Sequence, residues 1–308
     1  MTQPNNFAPS ASVVRSILDV IAPESVDFTI HALAGSYSNH THLVKIQSPG
    51  PRRIVLRRYN IENGDVVGKA RREFHTLKLL QNHDVPAPKP LLLDDEGRLL
   101  GSPGIVTEYV PGTQISAAED RVGWGDHAEM VARMLAKIHA IPYEGTPFLL
   151  NGNSATTWFL HSGSIPDYMT AYPEGAAVWN AIHEALQRIH QVRPRLAHID
   201  YWSGNILWEK GEISAVVDWE EASYADPALD VAYCRMEYFL EGLDEQAERF
   251  LAIYEAAAGE KVENLALWEL AAAVRPMLSL DSWLTRPHMD ERFARFIANA
   301  RRRLSIGE

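Results

Sequence analysis

His198-Ile199-Asp200-Tyr201-Trp202-Ser203-Gly204-Asn205-Ile206-Leu207-Trp208, followed after a short turn by Ile213-Ser214-Ala215-Val216-Val217-Asp218, constrains this chain more than any other stretch. It reads H-x-D-x-x-x-x-N, then a strand-like run, then a second Asp. Asp200 offers a carboxylate that can accept a proton from a hydroxyl. Asn205, five residues on, offers an amide oxygen to a divalent cation. Asp218 offers a second carboxylate, carried on the next strand, that can hold cations against phosphate oxygens. The spacing matters because Asp200 and Asn205 must face one cavity from one loop. Glu209-Lys210-Gly211-Glu212 suits the hairpin turn between the strands. A D-x-x-x-x-N spacing alone is common. The preceding His198, the internal Gly204 and the flanking strand-like runs make it more specific. Without that chemistry the segment is an ordinary hairpin with solvated carboxylates.

The composition bounds the function. The chain has 308 residues, enough for one large domain or two lobes sharing a cleft. It is 46% hydrophobic and 22% charged, as expected of a soluble globular protein. With 29 basic and 40 acidic residues its net charge is -11, a poor balance for binding nucleic acid, which needs clustered Lys and Arg. The same balance is compatible with a cationic small molecule. Cys234 is the only cysteine, which excludes an internal disulfide and a Cys-based zinc cage. A reducing, cytoplasmic location is expected. No basic region leads into an apolar core near residue 1, so no signal peptide is expected. No apolar run of about 18 residues is present, so no membrane span is expected.

Outward from the central stretch, the pattern predicts a helix over Ala11 to Ile21 and strands over Phe28 to Leu33, Thr41 to Ile46 and Arg53 to Tyr59. A helix follows over Val67 to Gln81, with Ala70, Phe74, Leu77 and Leu80 on one face. Leu91 to Leu93 and Gly104 to Val110 read as two more strands, and Pro111-Gly112 as a boundary. A helix is expected over His127 to Ala140 and another over residues 176 to 191. Residues 145 to 173 read as a long loop. From Leu229 onward the pattern is helical, with breaks at Pro276 and Pro287.

Within and beyond the central stretch stand Asn205-Ile206-Leu207, Val217-Asp218-Trp219-Glu220, and Asp226-Pro227-Ala228-Leu229-Asp230-Val231-Ala232. Together they resemble the aminoglycoside phosphotransferase and choline kinase-like family, small-molecule relatives of the protein kinases. The resemblance runs from about Phe28 to Ala232. It implies an α+β, two-lobed, protein-kinase-like fold. A small β-sheet lobe with one helix would cover residues 1–110, and a larger, mainly helical lobe would cover 111–308. It implies transfer of the γ-phosphate of ATP or GTP, with Mg²⁺, to a hydroxyl of a small molecule such as an aminoglycoside or amino alcohol. Nucleic-acid and membrane partners are not expected.

By position in that family pattern, Asp200 is the proton acceptor, with Asn205 beside it, and Asn205 and Asp218 hold Mg²⁺. Gly35, Ser36 and Ser38 lie in a turn that either covers the phosphates or is a plain hairpin. Arg57 stands where protein kinases carry a phosphate-holding Lys, and it can grip oxygens at two points. Its alternative is a surface Arg. Arg58, on the other strand face, reads as solvated. Glu73 would flank the buried helix stripe and orient Arg57, or else face water. Glu108 to Val110 matches the backbone that holds a nucleotide base, or is an edge strand. His198 reads as a brace of the loop. Ile199 stands where the family commonly has Gly. Asp226 reads as a helix cap followed by Pro227, with Asp230 bracing the loop. Glu220 and Glu221 either meet a cationic acceptor or face water, with water favoured. Tyr168, Tyr238, Asp281 and Trp283 are candidates for lining an acceptor pocket, or are core and surface residues. Only seven residues separate Asp218 from Asp226, leaving no room for a long phosphorylatable loop. Two other readings remain: a nucleotide-binding protein without catalysis, and a metal-dependent phosphohydrolase using Asp200 and Asp218.

Overall fold

The computed structural model describes residues 8–33, 39–119, 126–142 and 145–306. The expected turn residues Gly35, Ser36 and Ser38 lie outside them. The chain forms two compact units. The first comprises residues up to Gly112 together with Ser214–Glu221, and the second comprises Thr113–Ile213 and Ala222 onward.

In the first unit α1 (Ala11–Ile21) precedes β1 (Phe28–Ala32), β2 (Asn39–Ile46) and β3 (Arg52–Tyr59). Then come α2 (Val66–Leu80), β4 (Pro90–Asp94) and β5 (Gly104–Glu108). The strands form one antiparallel sheet in the order β1-β2-β3-β5-β4. Alternation along β3 puts Ile54 and Leu56 into a core with Val14, Ile17 and Leu18 of α1 and Val44 of β2. Arg57 and Tyr59 therefore point to the opposite face. Gly104 permits the close pairing of β5 with β3, because a Cβ there would stand 2.3 Å from the Arg57 carbonyl oxygen. On α2 the buried positions Ala70, Glu73, Phe74, Leu77 and Leu80 make one stripe. Glu73 lies within that stripe rather than beside it.

The second unit begins with β6 (Thr113–Gln114) and α3 (His127–His139). The stretch expected as a long loop instead holds β7 (Leu150–Asn151), α4 (Gly152–Thr156) and α5 (Asp167–Thr170). Their periods are too short to register in the sequence. The Asn151 side chain caps α4 by accepting the Ser154 N–H at 3.3 Å. Next, α6 (Gly175–Leu186) stops five residues short of its expected end at 191. Then follow β8 (Arg195–Ala197), β9 (Ile206–Glu209), β10 (Glu212–Val216), whose residues from Ser214 belong to the first unit, and β11 (Ser223–Ala225). Lys210 and Gly211 both have positive φ, 55° and 88°, the conformation a tight two-residue hairpin turn needs.

The helical remainder is α7 (Ala228–Glu241), α8 (Asp244–Ala258), α9 (Leu265–Met277), α10 (Leu280–Trp283) and α11 (Met289–Ile306). Pro276 sits inside α9, which ends one residue later at Met277, beside the expected break. Nearly every residue of α9 is buried, so it is the central helix of this unit. The Asp226 carboxylate caps α7 from one residue further out than expected. It accepts the Ala228 N–H at 3.0 Å, and Pro227 occupies the cap position. Among the described residues, no helix is long and apolar enough to cross a membrane.

Candidate functional site

In the first unit the opposite face of β3 gathers charge around one guanidinium. Arg57 Nε lies 3.2 Å from Glu73 Oε2, and its Nη2 lies 2.7 Å from Glu220 Oε2 and bonds Asp218 Oδ1. Tyr59 donates its hydroxyl to Glu73. Lys69 Nζ stands 3.0 Å from both Glu220 Oε1 and Glu221 Oε1. Asn39 Nδ2 donates to Glu220 at 2.6 Å, and Arg72 Nε donates to the Glu220 carbonyl at 2.9 Å. Burial opposes the charge on Arg57, but Asp218 and Glu73 more than offset it and keep the guanidinium firmly cationic. Burial likewise pushes Glu220 up, and Arg57 and Lys69 overcome it, so this carboxyl sits below its ordinary range. Glu73 differs. Its burial outweighs Arg57 and raises it to about 7.

Glu220 corrects the reading of a residue facing water. Its side chain is 8% exposed and is held by Arg57, Lys69 and Asn39. The reason is local: the short turn Trp219–Glu221 buries Trp219 and Glu220 together, while Glu221 stays partly open. Arg57, Glu73 and Asp218 are brought together. Glu108 stands apart from them at the end of β5, donating its N–H to the Lys89 carbonyl at 2.9 Å and pairing with Arg52 at 3.5 Å. Val110 is half-buried beyond the strand. Arg58 is half-buried rather than fully solvated.

In the second unit both oxygens of Asp200 are fixed. Arg275 Nη1 donates to Oδ1 at 2.8 Å, and Asn205 Nδ2 donates to Oδ2 at 2.8 Å. Tyr233 adds a side-chain hydrogen bond. Burial pushes Asp200 up, but Arg275, His198 and these hydrogen bonds outweigh it, leaving the carboxyl below its ordinary value. The loop backbone is clamped from behind by Asp230, which is fully buried on α7 and accepts the N–H groups of His198 at 2.7 Å and Ile199 at 2.6 Å. His139 approaches the same carboxylate at 3.1 Å. His198 Nδ1 in turn lies 3.3 Å from the Asp200 N–H.

Ile199 adopts φ +71°, a left-handed conformation that suits Gly and that a β-branched residue enters at a cost of about 1–2 kcal/mol. Ser203 gives both its N–H, at 2.9 Å, and its hydroxyl to Glu237, a carboxyl that burial raises to about 7.

The pocket candidates fare differently. Tyr238 is core: it is 1% exposed and hydrogen-bonded to His127. Asp281 is exposed, and Tyr168 is half-buried beside Trp158. Trp283 packs edge-on against Tyr233, the neighbour of Asp200.

Among the described residues, no group of three or more His, Cys, Asp or Glu is arranged to hold a metal. An all-protein cage is therefore absent there. The donor chemistry instead suits a cation that takes few protein ligands. Asn205 spends its amide nitrogen on Asp200, at 2.8 Å to both the backbone and a carboxylate oxygen, which leaves its amide oxygen as the donor to a cation. Asp218 offers a carboxylate oxygen, the donor type Mg²⁺ takes, while sharing the Arg57 guanidinium with Glu73 and Glu220.

The chain matches the phosphotransferase enzyme family over residues 29–268. It belongs to that family. The architecture of this phosphotransferase recurs in solved structures. It is similar to a choline kinase from Streptococcus pneumoniae, with 18% identity, 94% of this chain and 97% of the other covered, and a TM-score of 0.63. It is also similar to a thermostable mutant of the aminoglycoside phosphotransferase APH(4)-Ia in ternary complex with AMP-PNP and hygromycin B. That match has 16% identity, 97% and 100% coverage and a TM-score of 0.64. At these identities the likeness shows the fold. In sequence, 27% identity over 220 residues links it to mouse acyl-CoA dehydrogenase family member 10. The phosphotransferase covers 20% of that relative's length, and the match spans 66% of this chain.

Sequence reasoning missed Arg275, Tyr233, Lys69 and Glu237. One signal was available. Arg275 and Glu269 are the charged residues in the otherwise apolar run Leu265 to Met277, and a charge kept in a buried helix needs a partner. Lys69 carried no such signal.

Proposed function

We propose that this phosphotransferase moves the γ-phosphate of a magnesium nucleotide, ATP or GTP, onto the hydroxyl of a small molecule. The observation that carries the reading is Asp200: an ionised carboxylate with both oxygens fixed, inside the region matched by the family. Phosphoryl transfer has a loose transition state, so positioning and charge neutralisation do most of the work. Asp200 orients the acceptor hydroxyl and takes its proton late, a task compatible with a lowered pKa. Asn205 and Asp218 would supply oxygens to Mg²⁺, whose charge would neutralise phosphate oxygens. Arg57 anchors the phosphates and Glu73 fixes its guanidinium. Gly35, Ser36 and Ser38 cover them, and the backbone of Glu108 and Val110 receives the base. Pro111-Gly112 is the lobe boundary in this reading, with residues 1–110 before it and 111–308 after it, apart from the Ser214–Glu221 segment that belongs with the first unit.

A nucleoside triphosphate donor is supported by the relative solved with AMP-PNP. A cavity of about 330 Å³ is lined by Trp202, whose indole suits an ammonium group, and by Glu237, Glu241 and Arg286, with Arg286 paired to Glu241 and Ser203 bonded to Glu237. The test is transfer of label from γ-labelled ATP and GTP to aminoglycosides, macrolides, choline, homoserine and sugars. Label on an organic acceptor is expected. Label recovered only as inorganic phosphate across the panel would favour a hydrolase instead.

A further inference from the structure

We propose that Arg275 is a positioning residue for phosphoryl transfer, fixing the Asp200 carboxylate and the left-handed peptide of Ile199 with one guanidinium. The inference rests on the reading of Asp200 as the proton acceptor. Arg275 Nη1 reaches Asp200 Oδ1 at 2.8 Å, and Nη2 reaches the Ile199 carbonyl oxygen at 2.9 Å. Two adjacent donors of one planar group therefore set the carboxylate relative to its own backbone. A Lys, with its point charge, can satisfy only part of that demand. The guanidinium is itself held, lying 4.5 Å over the ring of Tyr233, whose hydroxyl also serves Asp200.

The need for such a clamp is visible in the backbone. Ile199 occupies φ +71°, where a β-branched residue does not rest of its own accord. Asp230 grips the N–H groups of His198 and Ile199 from one side, and Arg275 grips the Ile199 carbonyl from the other. A Gly at 199 would hold the turn with less help. Arg275 thus does by hydrogen bonding part of what that glycine would do by conformational freedom. It arrives from the last turn of α9, about 75 residues along the chain from Asp200.

The test uses the full chain with Mg-ATP, water serving as acceptor, so that phosphate release reports kcat and the nucleotide KM separately. Arg275→Gln is expected to lower kcat by about 10²-fold, the scale of a small misplacement of a catalytic group, with the KM for Mg-ATP within about threefold. Arg275→Lys should restore about a tenth of the loss or more. Adding Ile199→Gly to Arg275→Gln should raise kcat at least about threefold over Arg275→Gln alone. Thermal unfolding of each variant accompanies the kinetics. A kcat for Arg275→Gln within threefold of wild type, while Asp200→Asn falls a hundredfold, overturns the proposal and leaves the reading of Asp200 standing. A kcat loss in Arg275→Gln that neither Lys nor Ile199→Gly recovers, with a lowered unfolding midpoint, assigns Arg275 to the fold and also overturns it. If Asp200→Asn keeps wild-type turnover, the reading of Asp200 fails and the proposal with it.

Discussion

Glu237 shows how far one side chain's surroundings can move it. Burial raises its carboxyl from the ordinary 4.5 to about 7, even though Ser203 donates two hydrogen bonds to it. The folded chain therefore binds this proton more tightly than the unfolded chain. Below the unfolded pKa both states are protonated and the term vanishes. Stability is lost as pH rises from about 4.5 through about 7. Glu237→Gln keeps an acceptor for Ser203 and cannot ionise. Its melting temperature relative to wild type should therefore climb between about pH 5 and about pH 8. Parallel melting curves across that range would contradict the assignment. Glu220 shows the opposite outcome, a buried carboxylate kept ionised by Arg57 and Lys69. Its position just past Asp218 was legible in the sequence. Its burial was not, because the turn that inverts the chain at Asp218 (φ +69°) leaves no periodic trace.

Elements with a clear period were the legible ones. The first helix was expected and found over Ala11 to Ile21, and the five strands of the first sheet fell within a few residues of their expected bounds. Alternating burial along β3 and the stripe along α2 write themselves into composition. Elements of two to five residues, such as β7, α4 and α5, do not, since one turn carries no repeat. Likewise the loop motif announced Asp200 and Asn205, but Arg275, which bonds Asp200 from α9, lies far outside any local window. At this scale α7 matters most for the loop. Asp230→Ala would leave the N–H groups of His198 and Ile199 without their buried acceptor, at about 1–3 kcal/mol each. Chemical denaturation should show a loss of about 2–6 kcal/mol. A change under about 1 kcal/mol would show that the clamp contributes little.

At the scale of the whole molecule, the first unit is not a continuous piece of chain. It needs Ser214–Glu221, which brings Asp218 and Glu220 to Arg57 and Lys69. A fragment ending at Gly112 would keep Arg57 beside Glu73 but lose both other carboxylates. It would also lose the Val216 N–H bond to the Pro86 carbonyl, 2.8 Å. That fragment is expected to lack a cooperative thermal transition by circular dichroism. A sharp transition near that of the full chain would show that the returning segment is dispensable. The proposed phosphoryl transfer draws on Arg57, Glu73, Asp218, Asp200 and Asn205. The measurement that tests this most directly compares Asp200→Asn, Asp218→Ala and wild type for Mg-nucleotide binding and for transfer of the γ-phosphate. Asp200→Asn should bind as wild type and lose transfer by about 10²–10⁴-fold, while Asp218→Ala should abolish turnover. Transfer at the wild-type rate by both variants would contradict the account.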